Sequence, residues 1–465
     1  MVYKKIDKED IKYLKSVVGE KNIIEKSNIE VDFSHDELQT ITAYPDVHLY
    51  VQNKSQIQDI MKYANDNLIA VTVRGSGTGL VGACVSVDGG ILLDTSQMNK
   101  IIELDKENTT LRVEPGVLLM DIANYVEKED LFYAPDPGEK SATIGGNIST
   151  NAGGMRAIKY GVTRDWVRGL DVVLASGELV SFGGKVVKDS SGFSLKDLIV
   201  GSEGTLGIIV EATLKLIPIP KETISLLVPF EDRTKAINAV PKIINGHTLP
   251  TAIEFLEKSS LKFSEEYLGK KIPNDDYEAY LLISYDGSSK ETVDYDVEMV
   301  SDLCVNHLDA IDVYLVDTEE RKKSVWSARG AFLEAIKAST TLIDECDVVI
   351  PRSYIKDYLD FTHQLSEELD IRIPYFGHAG DGNLHIYFCK DQLSDDEWLE
   401  KTRTGFKKMY NKAFEFGGKV SGEHGIGYAK RAYLKDQVGH IQIELMRGIK
   451  KTFDPKNILN PNKVI

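Results

Sequence analysis

Cysteine is scarce in this chain and badly spaced for a cluster. Only Cys84, Cys304, Cys346 and Cys389 occur, with no CxxC pair among them, which excludes an iron–sulfur or zinc-ribbon site built by this chain alone. Scattered thiols of this kind are expected to be reduced and mostly buried, and the expected location is cytoplasmic. Positive charge is also short: 55 Lys and Arg against 72 Asp and Glu leave a formal net charge of -17. That excludes nucleic acid, whose phosphates call for a basic stripe. It also excludes electrostatic adhesion to anionic lipid. No run approaches the ~18 apolar residues of a membrane helix. The N-terminal MVYKKIDKEDIKYLKSVVG alternates charge with helical apolar spacing and lacks the continuous apolar core of a signal peptide. No direct membrane insertion is therefore expected. Internal repeats and low-complexity segments are missing, and so is a GxGxxG that opens a long helix, which leaves a Rossmann site unsupported.

Hydrophobic residues make up 42% of the chain, which suits a packed protein, and 465 residues exceed one ordinary core, so two or three domains are expected. A short helical segment is expected up to about residue 40. From about 41 to 220 short strands and helices alternate. Ser55 is placed to cap a helix through QIQDIMKYAND, with Ile57, Ile60, Met61 and Ala64 on one face. LIAVTVRG, ILLDTS and TLRVEPG pattern as strands, and GLDVVLASGELVSF as a hairpin turning at Ser176–Gly177. Composition shifts near Pro218–Lys221. Beyond it, AYLLISYDG and DAIDVYLVD pattern as strands, and helices are expected at 232–244, 289–306, 319–337 and 353–369. After Gly427 a helical run leads to the tail DPKNILNPNKVI.

Two kinds of segment carry chemistry. In the first half, RGSGTGLVG follows directly on a strand, and its successive backbone N–H groups can form a nest for a pyrophosphate. PDPGEKSATIGGNISTNAGG, at 135–154, has the small polar residues to wrap a large polar ligand with main-chain contacts. Turn formation alone would explain RGSGTG, but not that motif together with this segment and GSEGTLGII at 201–209.

In the second half, FGHAGDGNLH holds His378 and His385, and SGEHGIG holds Glu423 and His424. On one continuous strand, histidines seven residues apart would face opposite ways. On a helix, Gly380 and Gly382 would be costly. Gly-Asp-Gly-Asn instead predicts a tight turn between two strands, which brings both imidazoles to one side. Glu423 and His424 are neighbours, so only one of them readily joins both other histidines at a single atom. The economical arrangement has His378, His385 and Glu423 as ligands of a divalent metal, zinc, iron or manganese, with His424 free as a base. The competing explanation is a set of histidines linked only by hydrogen bonds. A metal site and a nucleotide site on one chain imply a redox enzyme that takes hydride from an alcohol.

Together RGSGTGLVG, PDPGEKSATIGGNISTNAGGMRAIKYGVTRD, GSEGTLGII, GHAGDGNLH and SGEHGIG resemble the FAD-linked oxidases of the vanillyl-alcohol oxidase type. The branch they resemble is that of glycolate oxidase D-subunits, D-lactate dehydrogenases and D-2-hydroxyglutarate dehydrogenases. The motifs run in the family's order from about residue 40 to the NPNKV tail. The resemblance implies an α+β fold with a two-subdomain FAD-binding domain of the PCMH type at 41–220. An α+β cap domain with an antiparallel sheet would follow at 221–425, and residues 426–465 would pack back on the flavin domain.

The resemblance also assigns residues. Gly75, Ser76, Gly77, Thr78 and Gly79 would line the pyrophosphate. Pro137, Gly138, Ser141, Thr143, Gly145, Gly146, Ser149, Asn151, Gly153 and Gly154 would wrap the ribityl chain and ring. Glu203, Gly207 and Ile209 would sit near the adenine half. Thr78 stands where many relatives carry a tethering histidine, which implies non-covalent FAD. Asn462 stands where the family has glycine, a departure that bears on the tail's contact with the flavin. Arg329 is the family position that grips the substrate carboxylate; without the family it reads as a surface helix arginine. The implied reaction is the oxidation of a D-2-hydroxy acid, D-lactate foremost, with His424 as base and flavin N5 as hydride acceptor. The implied partner is an electron-transferring flavoprotein in an electron-bifurcating complex. The alternatives are glycolate or D-2-hydroxyglutarate oxidation with a quinone or iron–sulfur partner, a non-catalytic flavin relay subunit, and a metal-dependent hydrolase.

Overall fold

The computed structural model describes residues 2–38, 40–271 and 276–465, apart from the side chain of Glu319. The chain divides into two compact units, one of residues 1–152, 162–218 and 423–465 and one of residues 153–161 and 219–422.

The first unit holds two main sheets. One has four strands in the order Ile23–Glu25, Val47–Tyr50, Ile91–Asp94 and Val71–Arg74. Its last three strands are parallel, and the first pairs antiparallel with Val47–Tyr50. Parallel strands need a crossover, and the helix Lys54–Asn67 supplies the one from Val47–Tyr50 to Val71–Arg74, two strands with Ile91–Asp94 between them, burying Ile57, Ile60, Met61 and Ala64 as the spacing predicts. Its cap is Asn53, whose side chain accepts from the Gln56 N–H at 3.1 Å, and not Ser55, which lies inside the first turn. The segment before residue 40 is more than helical: after the helix Lys8–Val18 it contributes the strand Ile23–Glu25. The far edge of this sheet is extended by the tail. The Val71 N–H donates to the Ile458 carbonyl at 2.8 Å, and the Asn460 N–H donates to the Val71 carbonyl at 2.7 Å. The second sheet is antiparallel, in the order Ile101–Asp105, Thr110–Val113, Ile208–Lys215, Val167–Val173 and Leu179–Gly183. The last two strands form the expected hairpin, with Gly177 at φ 85° in its turn.

The second unit is built on a seven-stranded antiparallel sheet. Its order is Tyr314–Val316, Glu222–Phe230, Ala279–Gly287, Ala252–Glu257, Tyr375–His378, Asn383–Cys389 and Ile343–Val349. Of DAIDVYLVD only Tyr314–Val316 is strand, pairing with Ser225–Leu227 at the sheet edge. The helix expected at 319–337 is two helices, Glu319–Gly330 and Phe332–Ala338, separated at Ala331. The helices Arg233–Ile244, Lys290–His307 and Ile355–Leu369 fall where expected.

Two boundaries differ from the expected ones. Residues 153–161 leave the flavin-binding half and pack with the second unit. Lys159 and the Tyr160 hydroxyl both bind the Asp286 carboxylate, Tyr160 at 2.9 Å, and Lys159 also donates to the Asp286 carbonyl at 2.6 Å. The later boundary falls between Gly422 and Glu423 and not after 425, because the segment just beyond it is hydrogen-bonded to Glu203 of the first unit. Among the described residues no helix is long and apolar enough to cross a membrane.

Candidate active site

The histidine turn forms as its sequence dictates. Tyr375–His378 and Asn383–Cys389 run antiparallel with His378 opposite Asn383. The connection closes through the Gly382 N–H, which donates to the His378 carbonyl at 3.0 Å, with Gly382 at φ 87°. A side chain is disfavoured there twice over, since a Cβ would also run into the Ile350 carbonyl.

Register then assembles a cluster on one face of four adjacent strands. His385 lies opposite Phe376 on one neighbour and opposite Asp347 on the other. Phe376 and His378 are two apart on the same strand, so His378 and His385 share a face. On the other side Phe255 pairs with Gly377, which sets Glu254 beside His378. The His378 Nδ1 is 2.7 Å from Glu254 Oε1, the His385 Nδ1 is 3.3 Å from Glu345 Oε1, and the two Nε2 atoms approach to 3.5 Å. Each imidazole therefore presents Nδ1 to a buried carboxylate and Nε2 to the other ring.

Arg329 enters from the last turn of Glu319–Gly330 and is buried, not the surface arginine that its spacing alone allowed. Its Nε and Nη2 lie 2.6 and 2.5 Å from Glu254 Oε2, its guanidinium stacks 4.7 Å from the Phe376 ring, and Nη1 carries none of these contacts. Burial pushes the Glu254 carboxyl up, but the charges of Arg329 and His378 outweigh it and hold the group below its ordinary value. Asp347 is fully buried nearby. It accepts from Asn383 Nδ2 at 2.7 Å, from Ser421 Oγ at 2.7 Å and from the Gly422 N–H at 3.0 Å. The chain leading to Glu423 is thus anchored to the strand opposite His385.

Sequence reasoning missed Glu254, Glu345 and Asp347. The available signal was a carboxylate inside an otherwise apolar strand: AIEFLE has Glu254 between Ile253 and Phe255, and IDECDVV has Glu345 and Asp347 two apart.

The glycine segments of the first unit come together. Ser76 Oγ donates to the Ser141 carbonyl at 2.6 Å, and a Cβ on Gly75 would run into Thr143. Thr143 caps the helix Ile144–Thr150 through the Gly146 N–H. Gly75, Ser76, Gly77, Thr78 and Gly79 are half-buried or exposed, as are Gly138, Ser141, Gly145, Gly146, Ser149 and Asn151, so these small residues border open space. Pro137 and Thr143 are buried beside them. Gly153 and Gly154 open the segment that packs with the second unit.

Glu203, Gly207 and Ile209 are all buried among protein partners. A Cβ on Gly207 would meet Val172, and Ile209 pairs with Val172 in the sheet. The Glu203 carboxylate accepts from the Ile426 and Gly427 N–H groups, each at 2.8 Å. Burial raises its pKa to about 7, against the opposing pull of those two N–H groups and of Lys463 and Lys430. Asn462 takes φ 58°, a left-handed conformation that asparagine tolerates and that explains how it replaces glycine. Its amide binds Asp88 at 3.0 Å. Glu423 and His424 open the last segment of the first unit, with His424 Nε2 3.7 Å from Glu423 Oε1.

Two family models match this chain, the FAD binding domain over residues 45–183 and the C-terminal domain of FAD linked oxidases over residues 219–464. The chain belongs to the FAD-linked oxidases, and is a flavin-dependent oxidoreductase. It is 46% identical to a D-lactate dehydrogenase of Anaerostipes hadrus, over 99% of this chain and 98% of that one. It is 39% identical to the glycolate oxidase subunit GlcD of Bacillus subtilis (strain 168), over 99% and 97%. Among solved structures, p-cresol methylhydroxylase with substrate bound superposes with a TM-score of 0.77 at 18% identity, covering 100% of this chain and 98% of that one. That likeness concerns the fold, and it bears out the PCMH-type α+β architecture.

Proposed function

We propose that this protein is an FAD-dependent D-2-hydroxy acid dehydrogenase that oxidises D-lactate to pyruvate, with a divalent metal at His378, His385 and Glu423. The observation that carries the metal is the paired imidazole geometry. Metal-bound histidines characteristically hand their other nitrogen to a carboxylate; His378 Nδ1 does so to Glu254, and His385 Nδ1 faces Glu345 Oε1 at 3.3 Å, an ion-pair distance. Two metal–nitrogen bonds of ~2.0–2.1 Å at a tetrahedral angle place their nitrogens about 3.4 Å apart; the two Nε2 atoms stand at 3.5 Å. Glu423 follows Gly422, which Asp347 holds in place, and is the third ligand in this reading. Two imidazoles and a carboxylate suit zinc, iron or manganese.

The ion, when bound, supplies the Lewis acidity that makes a substrate hydroxyl more acidic. FAD held by the glycine segments around Ser76 and Thr143 would supply the hydride acceptor for substrate C2. The protein's own groups do the rest. His424 takes the hydroxyl proton as general base. Arg329 offers the substrate carboxylate its Nη1 edge while Glu254 holds Nε and Nη2. Glu254 keeps the His378 imidazole proton on Nδ1, which leaves its Nε2 as a ligand, and the Glu345 carboxylate stands beside His385 Nδ1. The glycine segments around Ser76 and Thr143 hold FAD without a covalent bond in this reading, since Thr78 stands at the place of the tethering histidine and its hydroxyl is a far weaker nucleophile than an imidazole. With no cysteine cluster in the chain, the electrons pass to a separate protein, an electron-transferring flavoprotein in this reading.

D-lactate is favoured by the relative of 46% identity, and glycolate is the second reading on account of the relative of 39% identity. The test is anaerobic bleaching of the purified yellow protein by D-lactate, glycolate and D-2-hydroxyglutarate, before and after chelation and with His424→Ala. D-lactate should bleach the wild type fastest, and both chelation and the variant should abolish bleaching with FAD retained. Normal bleaching in His424→Ala, or after full removal of metal, would sink these assignments.

A further inference from the structure

The segment after Glu423–His424 is held by a side chain that sequence reasoning gave to the cofactor. Glu203 is 5% exposed, and its two carboxylate oxygens divide between two successive main-chain donors, Oε1 on Ile426 and Oε2 on Gly427, both at 2.8 Å. The fit is close, since a Cβ on Gly425 would press on the carboxylate. The main chain of Glu203 is fixed just as firmly. Its N–H donates to the Ser149 carbonyl at 2.8 Å, on the helix that follows Thr143, and its carbonyl accepts from Asn460 Nδ2 at 2.7 Å. The residue takes φ 51°, a left-handed conformation that a glutamate adopts only when its surroundings require it. Next to these bonds, the Tyr428 and Ala429 N–H groups both donate to the Val81 carbonyl, at 2.8 and 3.1 Å, just beyond RGSGTGL. One residue thus ties the helix at Ser149 to the loop that follows His424.

We infer that Glu203 is a positioning residue, whose buried carboxylate sets His424 at a fixed place relative to the glycine segments of the first unit. The inference rests on the assignment of His424 as base and adds the group that holds it. A pyrophosphate would ask for donors and an adenine amino group for an acceptor, whereas both Glu203 carboxylate oxygens already accept from main-chain N–H groups. A hydrogen bond to a charged group is worth ~10–100-fold in an equilibrium, so at a pH above about 7, where Glu203 is ionised, loss of one of the two should loosen the loop by that factor.

The test uses the FAD-loaded full-length protein, wild type, Glu203→Gln and Glu203→Asp. The glutamine keeps one acceptor and turns an amide donor toward the second N–H; the aspartate keeps the charge one methylene short. Hydrogen exchange of peptides covering 423–430 should be slow at Ile426 and Gly427 in the wild type and ~10–100-fold faster in both variants. Stopped-flow reduction by D-lactate should slow at least tenfold at saturation, with FAD content unchanged and the substrate's half-saturation little moved. Fast exchange at those two amides in the wild type overturns the inference even if neither variant folds. Unchanged exchange in the variants, or faster exchange with unaltered flavin reduction, also overturns it. Loss of FAD with unchanged exchange assigns Glu203 to the cofactor instead. Failure of D-lactate to reduce the wild type counts against the proposed function, while the exchange experiment still decides the clamp.

Discussion

Replacing Glu254 by glutamine removes one charge from a buried cluster while keeping its shape. In the native protein Glu254 is fully buried and meets Arg329 at 2.6 and 2.5 Å and His378 at 2.7 Å. Arg329 is itself 6% exposed, so the variant leaves its buried guanidinium with a single amide oxygen to share. Breaking one side of a buried pair costs ~3–5 kcal/mol, and the retained acceptor places this case near 3. For a unit of about two hundred residues that is a fall in Tm of roughly 6–12 °C. Adding Arg329→Met should restore most of the loss, because it removes the stranded charge, yet leave the protein inactive. The pH dependence follows from the depressed carboxyl of Glu254. Its contribution is present above the ordinary carboxyl value near 4.5 and disappears as pH falls through the lower folded value, so wild type and variant should converge in acid. Differential scanning calorimetry across pH, on the two single variants and the double, measures all of this. A Tm within ~2 °C of wild type at pH 7 would refute the reasoning. So would an Arg329→Met cost that is equal in both backgrounds, for then the two charges are not coupled.

Two further outcomes are expected. Gly382→Ala must place a methyl against the Ile350 carbonyl at φ 87°, costing more than ~2 kcal/mol; metal content measured by mass spectrometry should fall below half while the flavin absorbance persists, and wild-type metal content would show that the turn does not set the imidazole spacing. Glu203, raised by burial from 4.5 to about 7, binds its proton more tightly folded than unfolded, so its stabilising share is full below pH ~4.5 and fades as pH climbs to ~7, about 3 kcal/mol in all. Urea midpoints of wild type minus Glu203→Gln should decline over that window, and a flat or rising difference would contradict it.

Local chemistry made some of this architecture legible and long-range register hid the rest. The GDGN turn was readable because glycine at Gly382 and the two flanking apolar runs are all within a dozen residues. The helix Lys54–Asn67 was readable from its apolar period, but its cap was placed at Ser55 although Asn53 performs that role, since two capping residues stood within three positions. Gly330 was a visible break that periodicity ran across, so one helix was expected where there are two. Glu254 escaped notice because it lies 124 residues from His378, and only the pairing of Phe255 with Gly377 puts the two side by side. Residues 153–161 escaped for a similar reason: nothing in NAGGMRAIKYG announces Asp286 as its partner.

The bridge from Val71 to Ile458 and Asn460 bears on how the protein is made. During synthesis the strand Val71–Arg74 leaves the ribosome well before Ile458 and Asn460, the residues that cover its outer edge. The entire second unit, ending at Gly422, emerges in between. Throughout that interval the nascent first unit carries an open sheet edge of the kind that recruits foreign strands. Synthesis is therefore a stage at which this chain is open to mispairing, and removal of the segment that holds Ile458 and Asn460 would make that transient condition permanent.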